Sequence, residues 1–580
     1  MPSHVHLLTS DRPIEWITHR GVTVLWAIFA SVWLYLACLP IEISSQAWLA
    51  YGSLLILILL RRVAQRYRLL RLTFLVIASF LTARYFVWRV TETLGYNGPF
   101  SFIAALLLFI AELYSITVYF LGIFVNLSPL RRQSVPLPKD PDRLPTVDVY
   151  IPSYNEDPEL LETTLLGALN MRYPADKYKV YLLDDGGTDE QCNNPDPDKA
   201  SAARARRARL QKLCADIGAH YLTRERNEHA KAGNLNAALK HTHGDLIVIF
   251  DADHTPTVDF LERTVGPFVA NPRLFLVQTP HFFISPDPVE RNLKLFSYMP
   301  GENEMFYDVI QHGLDFWEAS FFCGSAAILR RKALEEAGGF ACSTVTEDAE
   351  TALSLHALGW QSAYINHPMV AGLQPETYTG FITQRMRWAQ GMLQVLLFKN
   401  PLRQKGLALW QRLAYFNSIF FWFFPFARAV FLLAPSFFLI FGLQIYDANL
   451  KNFLAYAMPH LLAVVMVADL LFGRVRWAFI SELYEMAQFF YSLGAIVRIL
   501  RNPRTVSFAV TPKGERLDEE FITSLARPFY VFLMITSISI GMGVWRLIYQ
   551  PQQLNATLIT LGWEVFNGVL LCGVIGAMVE

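Results

Sequence analysis

Three acidic clusters stand in order along the middle of the chain: Asp184-Asp185, Asp251-Ala252-Asp253 and Thr346-Glu347-Asp348. Carboxylates this close repel, and each raises its neighbour's pKa unless a cation or hydrogen-bond donors share them. Asp251 and Asp253 alternate along an extended backbone, so both can point to one side. Hard oxygen ligands at that spacing suit Mg²⁺ or Mn²⁺, with phosphate oxygens completing the shell. Alone, an Asp-x-Asp triplet reads as a solvated turn after a strand. The series changes that reading, because Gln384, Arg387 and Trp388 follow it just before the chain turns apolar again. An arginine fork for diphosphate oxygens and a flat indole face complete a set suited to group transfer from a phosphorylated donor.

The elements around these clusters place them together. Val147–Ile151 reads as a strand ending at Pro152, Leu160–Leu169 as a helix, and Val180–Leu183 as a strand running into Asp184. Asp245–Phe250 is a third strand, running into Asp251. Strands alternating with helices imply an α/β domain with a largely parallel sheet covered on both faces. Ligands bind such sheets beyond the carboxyl ends of the strands, where the acidic pairs fall. Thr346-Glu347-Asp348 opens a further helix, and a capping threonine with first-turn charge also fits that position.

The rest of the chain is membrane-like. Of 580 residues 53% are hydrophobic and 17% charged, which means apolar spans beside a soluble domain. Four spans are expected near residues 22–40, 47–60, 69–91 and 101–126. Four more are expected near 413–440, 454–472, 523–548 and 557–578. Three regions follow: 1–130, 131–395 and 396–580. The first apolar run carries no cleavable signal pattern. Arg61, Arg62, Arg66, Arg68 and Arg71 lie between the second and third spans, and Arg474, Arg476, Arg498, Arg501 and Arg504 between the sixth and seventh. The positive-inside rule then puts the polar domain and both termini in the cytosol. Arg84, Arg89, Glu112 and Arg428 lie inside spans, as helix–helix ion pairs or as the lining of a polar path. Formal net charge is +0, so nothing suggests nucleic acid. The six scattered cysteines read as free thiols.

In this order and spacing, the clusters resemble the processive family-2 glycosyltransferases of GT-A fold, along almost the whole chain. Within that family the Thr-Glu-Asp form at 346–348, Phe321-Phe322-Cys323-Gly324-Ser325 and Phe508-Ala509-Val510-Thr511-Pro512-Lys513 are similar to motifs of the bacterial cellulose synthases. The resemblance implies an inverting enzyme that polymerises glucose from UDP-glucose into β-1,4-glucan and exports it. It implies Asp348 as base, Asp251 and Asp253 as ligands of Mg²⁺ or Mn²⁺, and Phe321, Cys323, Gly324 and Trp388 beside the acceptor sugar. Ser153, Tyr154, Glu156, Asp184, Asp185, Lys231, Gln384 and Arg387 would hold the nucleotide sugar, with Asn234 nearby and His254 adding to the metal site. Thr511 and Lys513 would reach the diphosphate from a gating loop near 501–519, after a membrane-surface helix at about 476–500. A multi-pass protein of the bacterial inner membrane with a periplasmic or membrane-anchored accessory subunit is expected. So is no binding of cyclic di-GMP, because the PilZ domain usual in these enzymes would begin after Glu580. A 1,3-linked β-glucan synthase, or a polysaccharide channel with an inactive transferase domain, are the alternatives.

Overall fold

A computed structural model describes residues 20–446, 449–504 and 521–580. Phe508, Thr511 and Lys513, and with them most of the expected gating loop, lie outside the described residues.

Nine strands lie between residues 147 and 372. They are β1 (Val147–Ser153), β2 (Tyr178–Asp184), β3 (His220–Leu222), β4 (Leu246–Ile249), β5 (His254–Pro256), β6 (Leu274–Gln278), β7 (Ala327–Arg330), β8 (Gln361–Tyr364) and β9 (Val370–Gly372). Seven form one sheet in the order β3-β2-β1-β4-β7-β6-β8, while β5 and β9 pair separately. β1 is buried along its whole length. Its side chains alternate between two cores, Tyr150 with Leu183 and Ile249 on one face, Val149 and Ile151 with Leu182 and Val248 on the other. That is the period-two pattern of a sheet covered on both sides.

The expected largely parallel sheet needs one correction. β7 runs antiparallel to both β4 and β6. Its first residue therefore sits at the edge where β1, β2 and β4 end. The reversal brings the Phe321–Ser325 segment, which enters β7, against Asp251 at the exit of β4. A wholly parallel sheet would have put them at opposite edges.

Among the described residues, seven helices are long and apolar enough to cross a membrane: Ile43–Ala64, Arg68–Glu92, Pro99–Val125, Leu409–Phe441, Leu450–Phe472, Ser524–Tyr549 and Pro551–Ala577. A shorter apolar helix, Val24–Cys38, precedes them. The two groups form one bundle. Pro99–Val125 packs on Phe424–Phe441, and Leu450–Phe472 on Arg68–Glu92. Helix Ala478–Arg501 packs along Tyr378–Lys399, the helix that carries Gln384, Arg387 and Trp388.

The bundle also settles most of the intramembrane charge. Arg89 pairs with Glu112 on the next span at 2.6 Å. Arg84 donates to Gln46 and to the carbonyls of Leu36, Ala37 and Leu39, closing the end of the first helix. These three charges join helices. Arg428 joins helices too, pairing with Glu482 and Glu485 of Ala478–Arg501, each at 2.5 Å. Glu485 faces a cavity that reaches down from the α/β domain.

Candidate active site

That cavity, of about 870 Å³, begins at the carboxyl ends of β1, β2 and β4 and continues between the membrane helices. Its upper wall is made by Ser153, Tyr154, Glu156 and Asp185. Glu156 accepts from the Ser153 hydroxyl at 2.8 Å and from the Tyr154 amide at 2.7 Å, which closes the turn after β1. Asp185 takes both arms of Arg224, each at 2.7 Å. Arg224 also donates to the carbonyls of Glu228 and Ala230, so one side chain fixes Asp185 and the following loop together. Asp184 lies behind the wall. It is fully buried and accepts from Tyr221, Arg206 and the Gly186 amide, so it shapes the turn and has no face on the cavity.

Lys231 enters from the start of helix Ala230–Leu239. His229 and Ala230 before it both have positive φ, 58° and 43°, a costly backbone for side chains other than glycine. Gly233 supports the bend, because a Cβ there would run into the Glu228 carbonyl. The Lys231 ammonium lies 2.5 Å from Asp251 and 2.8 Å from the Gly324 carbonyl. Asn234 ties the same helix to the Leu183 carbonyl of β2 at 2.9 Å.

Asp251 and Asp253 both line the cavity. The Ser325 hydroxyl accepts from the Asp251 amide at 2.8 Å and lies 2.7 Å from His254 Nδ1. Gln278, at the end of β6, bonds the Ser325 carbonyl and the Cys323 amide, each at 2.9 Å. Burial alone would push Asp251 upward, but the Lys231 ammonium holds it well below the usual carboxylate range. No third histidine, cysteine or carboxylate joins this pair in a metal-binding group among the described residues. Two carboxylates fit a cation such as Mg²⁺, which commonly takes one or two from the protein and the rest from phosphate and water.

Glu347 and Asp348, which also line the cavity, begin helix Glu347–Ala357. Burial first, and the Glu347 charge second, raise Asp348 to about 7, while Lys231 and Arg387 pull it back. Glu347 is raised as well, again chiefly by burial. Gly324 has φ +86° and lies flat against this carboxylate, its Cβ position only 3.2 Å from Asp348 Oδ2. Gly391, in helix Tyr378–Lys399, presses on the Thr346 turn: a Cβ there would lie 2.6 Å from Thr346 Oγ1 and 2.8 Å from its amide nitrogen. Gln394, one turn on, accepts from the Val345 amide at 3.0 Å and donates to the Pro503 carbonyl at 2.8 Å.

Gln384, Arg387 and Trp388 reach the same cavity, as do Phe321, Cys323 and Gly324. Below them its wall passes to Asn417, Phe421 and Trp422, then to Val467 and Leu471. Of the described residues expected at the site, only Asp184 stands behind the cavity wall. Sequence reasoning missed Arg206, Arg224, Gln278, Gly391 and Gln394. The two arginines sit in polar stretches that read as solvated surface, and their carboxylate partners are 22 and 39 residues away. Gly391 lies inside a helix, where glycine is unfavourable. That was the one available signal.

The sheet and the clustered carboxylates at its edge define a family-2 glycosyltransferase. The family model described as "Glycosyl transferase family 2" matches residues 148–338, and "Glycosyl transferase family group 2" matches residues 246–472. The chain belongs to the family of UDP-forming cellulose synthase catalytic subunits. It is 40% identical over 543 residues to the "Cellulose synthase catalytic subunit [UDP-forming]" of Pseudomonas fluorescens, which covers 93% of this chain and 71% of the relative. It is 41% identical over 504 residues to the "Cellulose synthase 1 catalytic subunit [UDP-forming]" of Komagataeibacter xylinus, covering 86% of this chain and 65% of the relative. The chain thus spans about two thirds of the length of these relatives.

Proposed function

We propose that the protein polymerises glucose from UDP-glucose into β-1,4-glucan on the cytosolic side of the bacterial inner membrane and passes the chain outward through its own helices. One observation carries this reading: the cavity lined by Asp251, Asp253, Asp348 and Trp388 is lined as well by Phe421, Val467 and Leu471 of the membrane helices. A soluble transferase has no use for such an extension, and a channel has no use for the acidic end.

In this reading the nucleotide sits against Ser153, Tyr154, Glu156 and Asp185. Arg387 and Lys231 present their cations to the diphosphate, and Gln384 lies beside them. Bound at Asp251 and Asp253, a divalent cation would neutralise charge on the departing diphosphate. The acceptor sugar packs its C–H face on Trp388, with Phe321, Cys323 and Gly324 beside it. Asp348 takes the proton of the acceptor 4-hydroxyl as that oxygen attacks the anomeric carbon and UDP leaves. One displacement on an α-linked donor inverts the centre and gives a β-linkage. A base poised near 7 suits the task, since it is ionised often enough to accept a proton and basic enough to hold it.

The test is purified protein with UDP-glucose and Mg²⁺, followed by digestion with linkage-specific glucanases. The reading expects UDP release matched by a product cut by β-1,4-glucanase. Product cut only by β-1,3-glucanase would move it to the 1,3-linked alternative. A folded protein that releases no UDP would leave a channel with an inactive transferase domain.

A further inference from the structure

Trp388 can hold an acceptor sugar only if its ring presents a face to the cavity. An indole on a helix has several rotamers, so something must select one. Arg385 lies three residues before it on the same helical face. The Arg385 guanidinium stands 4.8 Å from the Trp388 ring centroid and 5.0 Å from that of Phe381, so it is stacked between two aromatic residues of its own helix. Its charge is held from outside the helix. Glu302, on the segment before the Phe321 motif, forms an ion pair with Arg385, whose side chain is only 10% exposed. On another side Trp422 meets the indole edge-on, centroids 6.4 Å apart at 73°. Arg385 and Glu302 both line the cavity.

We infer that Arg385 is a positioning residue for the acceptor. Locked by Glu302, its guanidinium holds one face of Trp388 and so sets the ring plane against which the terminal sugar of the chain rests between additions. This rests on the acceptor-side role of Trp388 given above. The planar guanidinium is required, because an ammonium offers no flat surface to stack. Losing the stack should shorten the product, since an acceptor held on a wobbling ring leaves more often between additions.

Four variants test it: Arg385→Gln, Arg385→Lys, Glu302→Gln and the double variant of Glu302→Gln with Arg385→Gln, each in the whole chain with UDP-glucose and Mg²⁺. Arg385→Gln should cut mean product length and kcat by about tenfold, with KM for UDP-glucose within about twofold of wild type. Arg385→Lys should recover less than half of the lost length. Glu302→Gln should shorten the product too, and Glu302→Gln with Arg385→Gln should be no worse than Arg385→Gln alone, because the pair acts as a unit. Should Arg385→Gln fail to fold, Glu302→Gln, which keeps every ring contact of the helix, decides. Normal product length in Glu302→Gln or in folded Arg385→Gln overturns the inference. So does a KM for UDP-glucose raised tenfold at unchanged length, which would put Arg385 on the donor. Wild-type protein that makes no polymer would instead overturn the functional reading beneath it.

Discussion

Two carboxylates line one cavity and are shifted in opposite directions. Asp251, at the exit of β4, has a lysine ammonium at 2.5 Å and is kept ionised far below the usual range. Asp348, at the start of its helix, has Glu347 beside it and only more distant cations, and burial lifts it to about 7. Environment alone separates the two, since the side chains are identical. The difference suits the proposed division of labour, with a permanent anion for a cation and diphosphate at Asp251 and a proton acceptor at Asp348.

The largest break in that comparison is Asp348→Asn. It should lower UDP release by about 10³-fold, the scale of losing a positioned base. The same change should raise the melting temperature of the ligand-free protein at pH 8. The sign follows from linkage. Asp348 binds its proton more tightly folded than unfolded, so folding is favoured at low pH and its cost appears as pH rises from the unfolded value of about 3.9 to the folded value of about 7. Asparagine removes that cost, and the gain should vanish below about pH 4. A melting temperature equally raised at every pH would mean that packing, not charge, is responsible.

Lys231→Met acts on the other carboxylate. It leaves Asp251 without its ammonium and should cut turnover about 10²-fold. The Asp251 side chain keeps 36% of its surface exposed, so the loss of stability should stay near 1 kcal/mol by denaturant titration. A folded variant with normal turnover would show that the pairing has no part in the chemistry.

Gly391→Ala sharpens the comparison with a smaller effect. The added methyl would push on the Thr346 turn and shift Asp348, and should lower kcat about tenfold while leaving KM for UDP-glucose unchanged. Overpacking should cost about 1–3 kcal/mol of stability in the same protein. An unchanged kcat would mean that the turn yields without moving its carboxylate.

The strand-end side of the cavity was more legible in the sequence than the surroundings of Asp348. Strand-end carboxylates such as Asp185 and Asp251 announce themselves, because a buried strand seldom ends in paired acids without a function. Their partners did not. Arg224 and Arg206 lie in polar stretches, and only the fold brings them to Asp185 and Asp184. The direction of β7 depends on sheet register across more than 70 residues, and the local pattern of an antiparallel strand buried on both faces matches that of a parallel one. Span positions could be read from apolar length, yet whether Arg84, Arg89 and Glu112 faced helix or cavity could not, because helical phase between neighbours is set by packing.

The most direct measurement is kcat/KM for UDP release, taken with UDP-glucose well below its KM and Mg²⁺ present, across about pH 5 to 9. With Asp348 as the base, the rate should rise about tenfold per pH unit up to near 7 and then level, in step with one ionisation. A rate independent of pH over that range, or one still rising beyond pH 8, would contradict the assignment of Asp348 and the contrast with Asp251 on which it stands.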